Sequence, residues 1–315
     1  MTTDTISLGA CDICGGRERR PAGSYVMQVP GHPLSGRTWN LQRCAGCGLT
    51  YVDPRPREQI FGGFVPDTKR DLSARGSWQR RLRLMERFHA PGRLLDVGAG
   101  AGAFLQYAQD WGWDVLGLDV QEDFIRGIRE RTGLPTYTGE LSDAAIQSRR
   151  FDAVTLWDVI EHVPSPRTTL EAVAKVVRPG GIVALSTINA ASINARLFGG
   201  NWVFWNRPGR VPEHLQAFTP DTLRRALRDA GFKPVHARTQ FAAGAILEPL
   251  SRLLELDRRL GHRWIEARAS MAGRAAAFVL WRLTEVAGRP LDVIHRGDML
   301  EMYAVRTDAL SQVKR

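Results

Sequence analysis

Three groups of residues in this chain have types and spacings that could do chemistry. The first is Leu94-Leu95-Asp96-Val97-Gly98-Ala99-Gly100-Ala101-Gly102, followed by Phe104, Leu105 and Ala108 at helical spacing. It reads as a buried strand, a tight glycine turn and a helix. Such a turn lets a ligand lie against the main chain, and the helix start offers it unpaired N–H groups. Gly98, Gly100 and Ala103 satisfy a dinucleotide pattern, Gly-x-Gly-x-x-Gly/Ala. Asp96 argues for a cationic group instead, because a carboxylate repels a pyrophosphate. The second group is two Cys-x-x-Cys pairs, Cys11/Cys14 and Cys44/Cys47, each followed by glycine. A two-residue gap lets both thiolates of a knuckle reach one tetrahedral metal, so structural zinc is expected, with no coordination position left open for chemistry. Two disulfides or reactive thiols are the alternatives, and a reducing compartment argues against the disulfides. The third group is two Glu-His dipeptides, Glu161-His162 and Glu213-His214; histidine beside a carboxylate is suited to proton transfer.

The elements that must position these residues follow from periodicity. A basic helix is expected over Trp78 to His89, before the first strand. From Arg93 onward the pattern alternates strand and helix. Asp114 to Leu118 is the second strand, and Asp119 at its end can accept hydrogen bonds from both hydroxyls of a ribose. Pro135 to Thr138 is a short third strand, and Phe151 to Leu156 a fourth, ending in Trp157-Asp158. Arg178-Pro179-Gly180-Gly181 turns into a fifth, Ile182 to Thr187. A loop with Asn189, Asn194, Asn201, Trp202, Phe204, Trp205 and Asn206 follows; its indoles and amides suit a pocket wall, with packing of the loop onto the sheet the alternative for about half of them. Thr219 as N-cap with Pro220 after it starts another helix. A sixth strand is expected over Phe232 to Thr239, and the alternation of Met299, Glu301, Tyr303 and Val305 makes Asp298 to Arg306 a seventh.

On these residues the chain resembles the class I methyltransferases that use S-adenosylmethionine (SAM). Their first motif has an acid two residues before Gly-x-Gly-x-Gly, matched by Asp96, Gly98, Gly100 and Gly102. Phe151-Asp152, an apolar strand and the Glu161-His162-Val163-Pro164 turn resemble the branch containing ubiquinone-type O-methyltransferases and deoxysugar C-methyltransferases. Glu213-His214 is similar to a Glu-His of the latter, which also carry an N-terminal zinc ribbon, although Val211 stands where they have tyrosine. The resemblance implies an α/β fold: a Rossmann-like seven-stranded sheet, with Asp298 to Arg306 as its antiparallel edge strand, an N-terminal zinc ribbon and a C-terminal helical insertion. It places SAM on Asp96, Gly98, Ala99, Gly100, Gly102, Asp119, Val120, Glu140, Leu141, Trp157 and Asp158, with Glu140 where Asp is commoner. For in-line methyl transfer to an unactivated hydroxyl it makes His214 the expected base, oriented by Glu213, with His162 the second candidate. Asp158, Glu161 and His162 also resemble a cluster that holds a divalent cation in some relatives; a structural role at the turn is the expectation here.

Composition bounds the rest. The chain has 315 residues, is 43% hydrophobic and 24% charged, and carries a net charge of +10. Lys69, Lys175, Lys233 and Lys314 are its lysines; arginine supplies every other basic residue, scattered along the chain. A polyanionic partner and simple compositional drift both account for this. The sequence suggests a ribbon over 1–57, a linker and helix over 58–90, the SAM-binding domain over 91–240, a helical lid or insertion over 241–297 and a final strand and tail over 298–315. Basic amphipathic stretches within 245–287 suit a lid or a membrane contact. No secretory signal is expected from Met1 to Ala10, so a cytoplasmic location is expected, peripheral to the inner face of the membrane if that contact forms. The expected acceptor is a small or lipid-linked molecule; RNA is a second reading, and a non-catalytic SAM-binding partner protein a third.

Overall fold

The computed structural model describes residues 5–26, 35–56, 75–202, 204–205, 213–242 and 286–307. The chain separates into two units. Met1–Gly62, Ile188–Thr222 and Arg238–Leu300 form the ribbon unit; Gly63–Thr187, Leu223–Ala237 and Glu301–Arg315 form the sheet unit.

In the ribbon unit, β1 (Thr5–Ile6) pairs with β5 (Arg55–Pro56), and β2 (Arg19–Val26), β3 (Thr38–Cys44), β4 (Thr50–Val52) and β11 (Gln216–Ala217) form a second sheet in the order β11-β4-β3-β2. β2 begins where Arg19 to Pro21 pair with Cys44 to Gln42 on β3. Tyr25, Trp39, Leu41, Val52, Trp202, Trp205 and Ala217 make a small core. The turn Gly199–Asn201 presses so closely on β2 that a Cβ at Gly200 would lie 1.9 Å from the Ser24 carbonyl oxygen. Gly200→Ala should therefore cost about 1–3 kcal/mol. A urea titration would read this as a lower midpoint, and an unchanged midpoint would contradict the close approach.

The seven-stranded sheet has the order β12-β13-β10-β9-β6-β7-β8. Its strands are β6 (Arg93–Val97), β7 (Asp114–Asp119), β8 (Thr136–Thr138), β9 (Phe151–Trp157), β10 (Val177–Ile188), β12 (Phe232–Gln240) and β13 (Met299–Arg306). β10, β9, β6, β7 and β8 are mutually parallel neighbours. β6 and β9 are buried almost throughout, as near-continuous apolar strands in a covered parallel sheet must be. Two expectations are corrected. β13 is not an edge strand: it lies between β12 and β10, and Leu300 to Ala304 are buried accordingly. Arg178 to Gly181 do not turn ahead of the fifth strand but form an irregularity within β10, where pairing with β9 jumps from Val177–Phe151 to Ile182–Ala153.

The helices around these strands are α1 (Arg75–Glu86), α2 (Ala103–Asp110), α3 (Glu122–Thr132), α4 (Ala144–Gln147), α5 (Pro166–Val176), α6 (Ile193–Phe198) and α7 (Pro220–Asp229). α1 begins and ends three residues earlier than its pattern suggested, with Leu82 and Met85 buried. α7 starts as expected: the Thr222 N–H donates to Thr219 Oγ1 at 3.1 Å. A last helical stretch, 286–293, precedes β13 and is termed α8. The insertion expected over 245–287 lies outside the described residues as far as residue 285. Among the described residues no helix is long and apolar enough to cross a membrane.

Candidate functional site

The carboxyl ends of parallel strands are where open α/β sheets place ligands, at the point where strand order reverses. Here β6 stands between β7 and β9, and the glycine turn leaves its end. Gly98 and Gly102 have φ of 71° and 78°. A Cβ would lie 2.5 Å from Val159 Cγ2 at the first and 2.7 Å from Ile128 Cγ1 at the second, so both conformation and space require glycine. The N–H groups of Gly98 and Ala99 donate to the Leu118 carbonyl, which closes the turn onto β7.

Asp96 is buried below this turn and accepts a hydrogen bond from Thr155 Oγ1 at 2.7 Å. Burial, with a smaller contribution from the Asp119 charge, pushes its carboxyl up to about 7. Asp119 is held from both sides: Gly100 N donates to Oδ2 at 3.0 Å and Gln121 N to Oδ1 at 2.9 Å. The Val120 N–H also approaches this carboxylate, whose two oxygens together offer about four acceptor positions. Val120 is exposed beside it. At the end of β8, Leu141 is buried, while Glu140 is exposed and accepts from Ser142 Oγ at 3.0 Å.

At the end of β9, Asp158 has a φ of 57°, a strained value for a residue other than glycine. Ser186 on β10 holds it there: Oγ donates to Asp158 Oδ1 at 2.7 Å, and the Ser186 carbonyl accepts the Asp158 N–H at 3.1 Å. The Trp157 ring is buried among Phe104, Trp78 and Tyr303, with centroids 5.4, 6.2 and 6.3 Å away. The Arg81 guanidinium lies 4.3 Å from that ring and 4.6 Å from Trp78, and its Nε donates to Glu301 Oε1 at 3.0 Å. Thr155, Ser186, Arg81 and Glu301 belong to no motif. Three of them nevertheless carry a signal, a polar residue inside an apolar strand, which must find a partner when buried.

Glu161 is 1% exposed, and its Oε2 has no hydrogen-bond partner among the described residues. Burial, reinforced by the Asp158 charge, raises its carboxyl well above the usual range and favours the neutral acid. His162 follows it, its N–H donating to the Val159 carbonyl. Glu213 and His214 belong to the ribbon unit. His214 Nδ1 lies 2.5 Å from the Phe204 carbonyl oxygen. A carbonyl only accepts, so Nδ1 carries the proton and, in the neutral ring, Nε2 has the lone pair.

The loop after β10 corrects another expectation. Trp202 and Trp205 are core residues, not a pocket wall. Asn194 Nδ2 and Trp202 Nε1 both donate to buried Asp298, at 2.9 and 3.3 Å, and Asn189 Nδ2 donates to the Gly297 carbonyl at 2.7 Å. Their side-chain N–H groups are spent on partners inside the fold, as burial demands, while Asn194 Oδ1 is buried with no hydrogen-bond partner among the described residues. Asn206 lies outside the described residues.

The four cysteines converge as their spacing implied. Two matched knuckles form, with Gly15 N donating to the Cys11 carbonyl and Gly48 N to the Cys44 carbonyl, and both glycines have positive φ. Cys11 and Cys47 sulfurs are 3.5 Å apart, Cys14 and Cys44 3.4 Å, and all four lie within 4.8 Å of one another. A zinc–sulfur bond of about 2.3 Å puts tetrahedral sulfurs about 3.8 Å apart, so the set fits one zinc ion. The contact between Cys11 and Cys47 lowers the first thiol and raises the second, as a proton shared between two close sulfurs does.

Residues 69–237 match a family model described as a methyltransferase domain. A ubiquinone biosynthesis O-methyltransferase of Cereibacter sphaeroides is 31% identical over 251 residues, covering 74% of this chain and 91% of that protein. One from Dinoroseobacter shibae is 31% identical over 183 residues, covering 56% and 72%. Among solved structures, a SAM-dependent methyltransferase from Archaeoglobus fulgidus superposes with a TM-score of 0.48 at 16% identity, covering 76% of this chain and 100% of that one.

Proposed function

The chain belongs to the class I SAM-dependent methyltransferases, and on that premise we propose that it methylates a hydroxyl oxygen of a small or lipid-linked molecule, with His214 as the base. The observation that carries this reading is the hydrogen bond from His214 Nδ1 to the Phe204 carbonyl, which leaves Nε2 as the proton acceptor. The O-methyltransferase relatives support oxygen as the atom methylated. SAM supplies a methyl group made electrophilic by its sulfonium. The chain's own residues do the rest. Asp96 meets the cationic methionine end, the main chain of Gly98 to Gly102 admits the ligand closely, and Asp119 accepts from the ribose hydroxyls. Val120, Glu140 and Leu141 border the adenine. As the acceptor oxygen bonds to the methyl carbon and the carbon–sulfur bond breaks, the hydroxyl proton passes to His214 Nε2, and Glu213 orients the ring. Glu161 and His162 support the turn after β9, a role in keeping with the burial of the Glu161 carboxyl.

The test is transfer of labelled methyl from SAM to a native cell extract, fractionated into polar metabolites, lipids, protein and RNA. Label in metabolites or lipids, in a product that resists base hydrolysis as an ether does, is the expected result. Label confined to RNA or protein would overturn the reading.

The second element of the proposal is structural zinc on Cys11, Cys14, Cys44 and Cys47. Metal analysis of the purified protein should find about one zinc ion per chain. Because site formation is coupled to folding, stripping the metal or replacing Cys44 by Ser should lower the melting temperature by roughly 5–10 °C. A metal-free protein of equal thermal stability would refute a structural ion.

A further inference from the structure

One surface of the ribbon unit is not used by the methyl-transfer chemistry. In α8, Gly288 faces inward: a Cβ there would lie 2.2 Å from the Phe241 ring. Asp292 is also drawn in, with Oδ1 buried and its carbonyl accepting from Thr239 Oγ1 at 3.1 Å. The outer face therefore carries Val286, Arg289 and Val293, with Ile294 just beyond; the three aliphatic residues are 52%, 81% and 62% exposed. α6 repeats the arrangement. Its inner residue, Asn194, is buried on Asp298, while Ile193, Arg196 and Leu197 face out, Leu197 being 67% exposed. The two faces are joined. Ile193 N donates to the Arg296 carbonyl at 3.2 Å, and Arg296 Nη1 donates to the Ala191 carbonyl at 3.0 Å.

Most of the large apolar side chains exposed among the described residues thus lie on α6 and at the end of α8, interleaved with Arg196 and Arg289, and Asp292, the acidic residue of these stretches, is half-buried. A gathered apolar patch marks an interaction site where scattered residues would not.

We propose that this patch docks the protein on an anionic lipid bilayer. Valine, isoleucine and leucine can enter the boundary between headgroups and acyl chains while the guanidinium groups stay at the phosphate level. Charge decides among partners. A second copy would oppose Arg196 and Arg289 to their own counterparts across a two-fold axis, in a chain of net charge +10. RNA would satisfy the arginines but offers nothing to bare aliphatic side chains, since bases stack on aromatic rings. An anionic membrane satisfies both. This surface differs from the contact expected within 245–287, nearly all of which lies outside the described residues.

The experiment is co-sedimentation of the full chain with phosphatidylcholine vesicles, with and without phosphatidylglycerol. The protein should pellet with the anionic vesicles, not the neutral ones, and added salt should release it. The double variant Val293→Asp/Ile294→Asp and, on the other helix, Leu197→Asp should each weaken binding by about tenfold or more. Circular dichroism and SAM binding by each variant establish that it is folded. Wild-type protein left in the supernatant with both vesicle types would overturn the proposal, as would folded variants that bind like the parent. A dimer seen by light scattering without lipid, and broken by Leu197→Asp, would assign the patch to a second copy. No methyl acceptor enters the assay, so its outcome is independent of the reaction proposed above.

Discussion

Asp96→Asn should make the ligand-free protein more stable at pH 8 while destroying most of its affinity for SAM. The two effects have one cause. The Asp96 carboxyl is held at about 7 in the folded chain, mainly by burial, against 3.8 ordinarily. The native state therefore binds the proton more tightly than the unfolded chain, and this contribution to stability is full below about pH 4 and lost as pH rises through 7. At pH 8 the wild-type protein holds a buried anion that Asn lacks, while Thr155 Oγ1 can still donate to the Asn carbonyl oxygen. The gain in melting temperature should shrink toward pH 5. SAM binding responds oppositely, because its cationic methionine end favours the carboxylate. Losing a charged hydrogen bond of about 1.5–3 kcal/mol weakens binding roughly ten- to a hundredfold. By the same logic, wild-type affinity should improve from pH 6 to pH 8 as Asp96 ionises. Calorimetric titration with SAM and thermal denaturation across this range read both. A variant that binds SAM like the parent would remove Asp96 from the site; one that is less stable at pH 8 would contradict its buried environment.

His214→Ala should lower turnover by about 10²–10⁴ while leaving SAM affinity unchanged, the usual span for loss of a general base. His214→Gln is the more searching variant. Glutamine can donate to the Phe204 carbonyl as Nδ1 does, but it cannot take a proton at neutral pH. If His214 only held the loop, Gln would restore activity; if it is the base, Gln should be as slow as Ala. Single-turnover measurements with both substrates saturating separate this loss from weakened acceptor binding. Retention of turnover within a few-fold in both variants would move the base elsewhere, with His162 next in line.

Both variants target residues legible in the sequence, and the reason is local. The glycine turn, the two cysteine knuckles and the Thr219 cap are each encoded within a few consecutive residues, because φ > 0, a two-residue thiolate gap and a side-chain cap are short-range requirements. The residues that hold the site in shape were not legible. Thr155 reaches Asp96 across strands, Ser186 holds Asp158 in its strained conformation, and Arg81 finds Glu301 at the far end of the chain. A buried polar residue announces that it needs a partner, not which one.

By itself, then, the sequence determined the strand, glycine turn and helix, the acids at the ends of β6 and β7 and the converging cysteines. Only the tertiary structure decided that β13 enters the sheet between β12 and β10, that Trp202 and Trp205 pack into a core, and that Asp298 takes up Asn194 and the Trp202 indole. These outcomes depend on which distant segments bury one another, a balance of burial against chain entropy summed over the whole molecule. The same balance left Val286, Val293, Ile294 and Leu197 in water beside arginines, a juxtaposition that no contiguous stretch of the sequence spells out.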